Sequence, residues 1–140
     1  MLKTMVLATT LLASVSLAAR AVCTSHDLTG SWTMSAVGFS GAQTFVGTCD
    51  FTIASGGDLA GSCTAHDLEN SFRGRVSGNL VISPRCRVTG AFASQEDVGS
   101  KVEARMNLSK DVITGISLDP STINQFTAVK ARGHDRSYGD

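Results

Sequence analysis

No helical period is sustained anywhere in this chain, and only two prolines interrupt it. Beyond residue 18 no apolar run reaches the length of about 20 residues that a spanning helix needs. The cysteines show no CxxC spacing and the histidines no HxxxH spacing, so the usual zinc-finger and helical zinc patterns are absent. Catalytic signatures are missing as well. The stretch GFSGA, from Gly38 to Ala42, lacks the last glycine of a nucleophile elbow and does not join a buried strand to a helix. Only three glutamates occur, no spaced carboxylate pair stands out, and no glycine loop opens a helix to cradle phosphate. The expectation is a protein that is not an enzyme and needs no cofactor.

What is present begins with an address. Lys3 precedes an apolar run from Met5 to Ala18, and Ala19-Arg20-Ala21 places small residues where a signal peptidase cuts. Residues 1–21 therefore read as a signal peptide, 22–132 as one domain and 133–140 as a polar tail. The expected location is secreted or periplasmic. Val22 before Cys23 and Arg20 where a lipobox wants Leu exclude a lipoprotein reading, which leaves Cys23 free to pair. Loss of Lys3 and Arg20 changes twelve bases against twelve acids into ten against twelve. That balance is not one of a nucleic-acid-binding protein. All four cysteines (Cys23, Cys49, Cys63 and Cys86) lie beyond the leader, and in an oxidising compartment they are expected to form two disulfides.

Turn residues recur every eight to twelve positions along the mature chain, the spacing of short antiparallel strands. In CDFTIASGGDLAGSCTA, Cys49, Phe51 and Ile53 alternate with polar residues before a Ser-Gly-Gly-Asp turn, and Leu59, Gly61, Cys63 and Ala65 alternate after it. One face of a hairpin is apolar. Phe72, Gly74 and Val76, then Leu80 and Ile82, make a second hairpin; Cys86, Val88, Gly90 and Phe92 follow, and then Val102, Ala104, Met106 and Leu108. Val112, Thr114, Ile116 and Leu118 read as another inward set, with the last strand over Phe126 to Ala131. Eight or nine short strands leave two exposed edges unless the sheet closes on itself. The expected fold is all-β, a closed up-and-down antiparallel barrel of about eight strands, with a β-sandwich as the alternative. Arg, Asp and Lys at outward positions argue against an outer-membrane barrel.

The segment LTGSW, Leu28 to Trp32, resembles the Gly-x-Trp opening strand of lipocalin-like and avidin-like barrels. The resemblance implies that Trp32 packs at the barrel floor with a basic residue of the final strand, Lys130 or Arg132, lying across it. The chain departs from lipocalins in lacking a Thr-Asp-Tyr turn. It departs from avidins in having a single tryptophan, so biotin binding is not implied. Small periplasmic inhibitors of bacterial metalloproteases share the Leu-x-Gly-x-Trp opening and the size.

Two function classes follow. A carrier would hold a small apolar molecule inside the barrel against Trp32, Phe51, Phe72 and Phe92, with room left by Gly61, Ala65, Gly74, Gly90 and Ala104. A protein-binding or inhibitory module would act through its loops, its N-terminal segment or an arginine stripe. Arg73, Arg75, Arg85, Arg87 and Arg105 fall at odd positions, opposite in parity to their apolar neighbours, and so are expected to face outward toward an anion or an extracytoplasmic protein partner. Neither class implies nucleic acid or membrane insertion. CTSHDLTGSW from Cys23 and CTAHDLENSF from Cys63 echo one another, and the simple reading is that His26-Asp27 and His66-Asp67 are turn residues whose Asp caps backbone N–H groups. Because His134 also precedes an Asp, a metal site of His26, His66 and His134 is the alternative. The cysteines allow three connectivities. A turn centred on Gly56 sets Cys49 opposite Cys63 and leaves Cys23 for Cys86, whereas a duplicated ancestor would pair Cys23 with Cys49 and Cys63 with Cys86.

Overall fold

A computed structural model describes residues 22–94 and 99–132; the proposed leader, the tail and His134 lie outside the described residues. A single turn, α1 (Ser25–Leu28), precedes eight strands: β1 (Gly30–Ser40), β2 (Gln43–Ile53), β3 (Asp58–His66), β4 (Ser71–Ile82), β5 (Arg87–Ser94), β6 (Ser100–Met106), β7 (Val112–Leu118) and β8 (Thr122–Lys130). Each strand pairs antiparallel with the next, and β1 also pairs with β8, so the sheet is a closed barrel. Closure removes both edges, which settles the choice between barrel and sandwich. Among the described residues no helix is long and apolar enough to cross a membrane.

Register follows the alternation within most strands. In the β2–β3 hairpin Cys49 faces Cys63, Phe51 faces Gly61 and Ile53 faces Leu59. The close pairing of an aromatic with a glycine is obligatory here, because a Cβ at Gly61 would collide with the Asp50 carbonyl and with Phe51. The disulfides are Cys49–Cys63, with Cα atoms 4.0 Å apart, and Cys23–Cys86, at 5.1 Å. The hairpin geometry therefore holds and the pairing implied by a duplication does not.

One strand is out of phase with its expected pattern. In β7 the inward residues are Ile113 and Ser117, while Thr114, Ile116 and Leu118 face solvent. A shift of one residue exchanges the two faces of a strand, and the β6–β7 turn sets that shift. Asn107 Oδ1 accepts the backbone N–H groups of Asp111 and Val112, and Lys110 takes a left-handed φ of 61°. Leu108 belongs to this turn and is exposed. β8 also begins earlier than expected, at Thr122.

The barrel has a floor and a mouth. α1 lies across the floor, held from several sides. Trp32 is 1% exposed and its indole N–H donates to the Leu28 carbonyl at 2.8 Å. Lys130 Nζ sits 5.4 Å from the Trp32 ring centroid and donates to the Asp27 carbonyl at 2.9 Å. This is the floor arrangement that the LTGSW resemblance implies, with Lys130 rather than Arg132 in the basic position. Lys110 reaches in from the β6–β7 turn to the Asp27 carboxylate at 3.0 Å and to the Val22 carbonyl. Cys86 ends the β4–β5 turn with φ 61°, a conformation usually left to glycine, and its side chain is tied to Cys23. Leu28, Ile53, Leu59, Leu80, Val88 and Met106 fill the space above α1 with almost no exposure.

Two outcomes test this arrangement. Non-reducing peptide maps should contain Cys23–Cys86 and Cys49–Cys63 fragments, and removing either bridge by paired Ser substitution should cost about 2–5 kcal/mol in thermal or urea unfolding. The Thr24 backbone N–H and the Lys110 ammonium hold the Asp27 carboxyl below its ordinary value of 3.8. A carboxyl depressed on folding contributes stability above its unfolded pKa and loses it as pH falls through the folded one. The melting temperature should therefore fall as pH drops below about 4, and Asp27→Asn should flatten that dependence while lowering the neutral-pH value.

Candidate functional site

The mouth half of the barrel is built differently from the floor. Its inward positions carry Ala36, Gly47 and Ala65 on β1, β2 and β3, where the floor carries Trp32, Ile53 and Leu59. Small side chains around a ring of fixed diameter leave volume. A cavity of about 410 Å³ opens there, within the range of roughly 300–1,000 Å³ typical of small-molecule sites. One wall is apolar, formed by Met34, Phe45, Val76, Phe92, Phe126 and the Cys49–Cys63 bridge. Its base is a ladder of rings: Phe51 to Phe92 and Phe92 to Phe126 are both edge-to-face at 6.2 Å between centroids.

A polar strip adjoins the apolar wall, from β6, β7, β8 and the β7–β8 turn. It contains Ser100, Ser117, Asp119, Thr122 and Asn124. Ser117 is 6% exposed and accepts the Asn124 side-chain N–H at 3.1 Å. Asn124 Oδ1 is buried with no hydrogen-bond partner. It packs over Gly38 beside the Phe45 ring, and a Cβ at Gly38 would collide with both. Exchanging the amide oxygen and nitrogen would not cure the deficit, since one end must still face Gly38. Asp119 accepts the backbone N–H and hydroxyl of Ser121 on Oδ1 and the Ser100 hydroxyl at 3.4 Å on Oδ2. The Ser121 backbone N–H is the main reason its carboxyl titrates below the usual range. Among the described residues no Lys, Arg or His lines this cavity.

The four aromatic residues expected to hold a ligand separate into three environments. Phe92 lines the cavity. Trp32 and Phe51 lie beneath it, packed into the floor core and the ring ladder. Phe72 has inward parity but stands at the mouth end of β4, beyond the last residue paired with β5, and is 56% exposed. Phe45 and Phe126 take its place. Their places in the lining depend on the β1–β2 turn, which sets Phe45 beside Gly38, and on the β8 register, which sets Phe126 beside Ala36. Of the residues expected to leave room, Ala65 lines the cavity and a Cβ at Gly74 would meet open space. Gly61 is filled by Phe51, Gly90 lies against the Asn79 backbone, and Ala104 packs against Gly115.

The arginines all face solvent but do not form a stripe. Arg73 and Arg75 sit at the mouth end of β4, whereas Arg85, Arg87 and Arg105 cluster near the floor, with Arg87 opposite Arg105. The β4–β5 register places Arg75 and Arg87 eight positions apart along the strands, roughly 25 Å at about 3.3 Å per residue. Arg87 is also paired with Glu103 at 3.1 Å.

The histidine alternative fails on similar grounds. His26 is in α1 on the floor and His66 ends β3 at the mouth, and among the described residues no three metal-ligating side chains come together. The echoed His-Asp phrases are turn devices. Asp27 accepts the Thr24 backbone N–H at 2.7 Å, and Asp67 accepts those of Glu69 and Asn70.

A second depression, of about 590 Å³, runs over the outside of the barrel between Ser35, Val37, Val46, Thr48, His66 and Thr127. It is larger but shallow, and it buries no unsatisfied group. The recessed cavity, with apolar walls and a few converging polar atoms, has the form of a small-molecule site.

No protein-family model and no curated protein matches the chain in sequence. Among solved structures, a redesigned beta barrel is similar to it, with a TM-score of 0.53 and 15% identity over 81% of this chain and 96% of the other. At that identity the likeness concerns the fold alone.

The Asn124–Ser117 pair yields a stability test. An unsatisfied buried amide oxygen costs about 1–3 kcal/mol, while replacing both partners by apolar groups of similar shape is close to neutral or stabilising. Ser117→Ala combined with Asn124→Leu should melt at or above the wild-type temperature. A drop comparable to that of an ordinary core deletion would mean that the pair supports the fold.

Proposed function

We propose that this protein is an extracytoplasmic, non-enzymatic binding protein of lipocalin-like or avidin-like type that carries a small, largely apolar molecule in the mouth half of its barrel. The observation that carries this reading is the cavity of about 410 Å³ above a sealed floor. An all-apolar filling would stabilise the barrel more than empty space does, since voids in a core forfeit dispersion contacts. Small residues at Ala36, Gly47 and Ala65 keep the volume open. The leader and the two disulfides support an oxidising location outside the cytoplasm. Ligand contacts fall to Phe92 together with Phe45, Phe126 and Met34, with Phe51 and Trp32 as the support beneath.

A protein-binding role is the second reading, and a different feature favours it. Val37, Phe39, Val46, Leu118 and Ile123 are all exposed on the outer wall near the mouth, and the register joins Val46 to Val37 and Phe39 to Ile123 to Leu118. Exposed apolar patches of this kind mark contact sites.

The readings separate in a binding experiment. The neutral fluorophore N-phenyl-1-naphthylamine should brighten with the mature protein, and Ala36→Phe or Ala65→Phe should abolish that signal while leaving the circular dichroism spectrum and melting cooperativity intact. Substituting Val37 and Ile123 by Ser should leave it unchanged. Fluorophore binding that survives both cavity-filling variants would refute the carrier reading.

A further inference from the structure

We infer that the ligand of this cavity is an amphiphile whose head is a hydrogen-bond donor, cationic or neutral, and that anionic amphiphiles such as fatty acids are rejected. This inference rests on the carrier reading and adds the chemical class of the ligand.

The polar atoms are not scattered through the wall. They form one continuous strip, from Ser100 on β6 through Ser117 on β7 to Asp119, Thr122 and Asn124 and on to Ser40 beside Thr122, with Phe92 and Phe126 bordering it as strand neighbours. A wholly apolar ligand would leave this strip desolvated and unpaired, at a cost that a donor-bearing head avoids. The strip is rich in acceptors. Asn124 Oδ1 has no donor in the free protein, so its side chain gains by turning from Gly38 toward a ligand N–H or O–H. Ser117, almost wholly buried, already spends one lone pair on the Asn124 amide and keeps another.

Charge decides the rest. Among the described residues Asp119 is the one ionisable side chain lining the cavity, and hydrogen bonds from Ser121 and Ser100 favour its anionic form. No Lys, Arg or His among the described lining residues balances it. A carboxylate head entering beside it would meet a like charge and find no cation among the described lining residues. An ammonium would meet an opposite charge, and an alcohol would satisfy the acceptors without a Coulomb term.

Displacement of N-phenyl-1-naphthylamine from the mature wild-type protein at pH 7.5 tests the inference with three ligands of one chain length: decylamine, decanol and decanoate. Decylamine should displace the fluorophore at a concentration at least about ten-fold below decanoate, equivalent to about 1.4 kcal/mol, with decanol between them. Asp119→Asn should narrow the amine-to-carboxylate gap, and in the Ser117→Ala/Asn124→Leu variant decanol affinity, measured against that variant's own fluorophore affinity, should fall relative to wild type. Decanoate matching or exceeding decylamine, with the fluorophore still bound and still sensitive to Ala65→Phe, would overturn the head-group assignment and leave the carrier reading standing. So would a failure of all three ligands to displace it. Absence of fluorophore binding by the wild type would instead remove the carrier reading, and this inference with it.

Discussion

The fold depends on the first strand being paired on both sides. β1 lies between β2 and β8, in register from Trp32 opposite Lys130 to Ser40 opposite Thr122. This one strand converts an open eight-stranded sheet, with two rows of unpaired N–H and C=O groups, into a surface without edges. Closure fixes the circumference, so side-chain size at each level determines whether the interior is filled or hollow.

The two levels use that constraint in opposite ways. At the floor, Trp32, Leu28, Ile53 and Val88 meet across the axis, and α1 covers what remains. The N-terminal segment has little hydrogen bonding of its own to hold it there. A disulfide, two lysines and an indole N–H donor secure it from four directions. At the mouth, Ala36, Gly47 and Ala65 occupy the equivalent positions and no helix of the described residues covers the opening. A rigid, capped base under an open, amphipathic chamber is the mechanical condition for holding a guest without rearranging the barrel, since the walls need not move for it to enter.

Polarity is divided as cleanly inside as outside. The inner polar strip spans β6 to β8, while the rings come from β2, β5 and β8. On the outer wall, apolar side chains gather near the mouth of β1, β2, β7 and β8, and the basic residues stand on β4 to β6 and their turns. Exposed charges at such distances act separately under physiological screening, with a Debye length of about 8 Å. The arginines therefore do not form one anion-binding surface, and Asp119 stands apart from them at the rim of the mouth, half-buried in the β7–β8 turn.

Much of the fold was legible because a strand writes its two faces into alternate residues. Cys49, Phe51 and Ile53 against Cys63, Gly61 and Leu59 specified a hairpin and its register, since both follow from a turn at Gly56. LTGSW likewise pointed to the floor, where Trp32 and Lys130 meet. The candidate site was less legible. Phe72 shares the parity of Val76 yet stands in solvent, because parity gives the face of a strand and not its height along the barrel axis. Height also separated Arg75 from Arg87 and His26 from His66, pairs that sequence position alone made look adjacent. The phase of β7 was set by the Asn107 turn, and the significance of Asn124 and Ser117 appeared only once Gly38 and Phe45 closed over the amide. By itself the sequence determined the alternating strands, the hairpin register that sets Cys49 opposite Cys63 and the single indole of the floor, all consequences of local spacing, while the structure decided which cysteines are bridged. Only the tertiary structure decided where the space lies and which groups border it, because those depend on the stagger of eight strands around a closed ring.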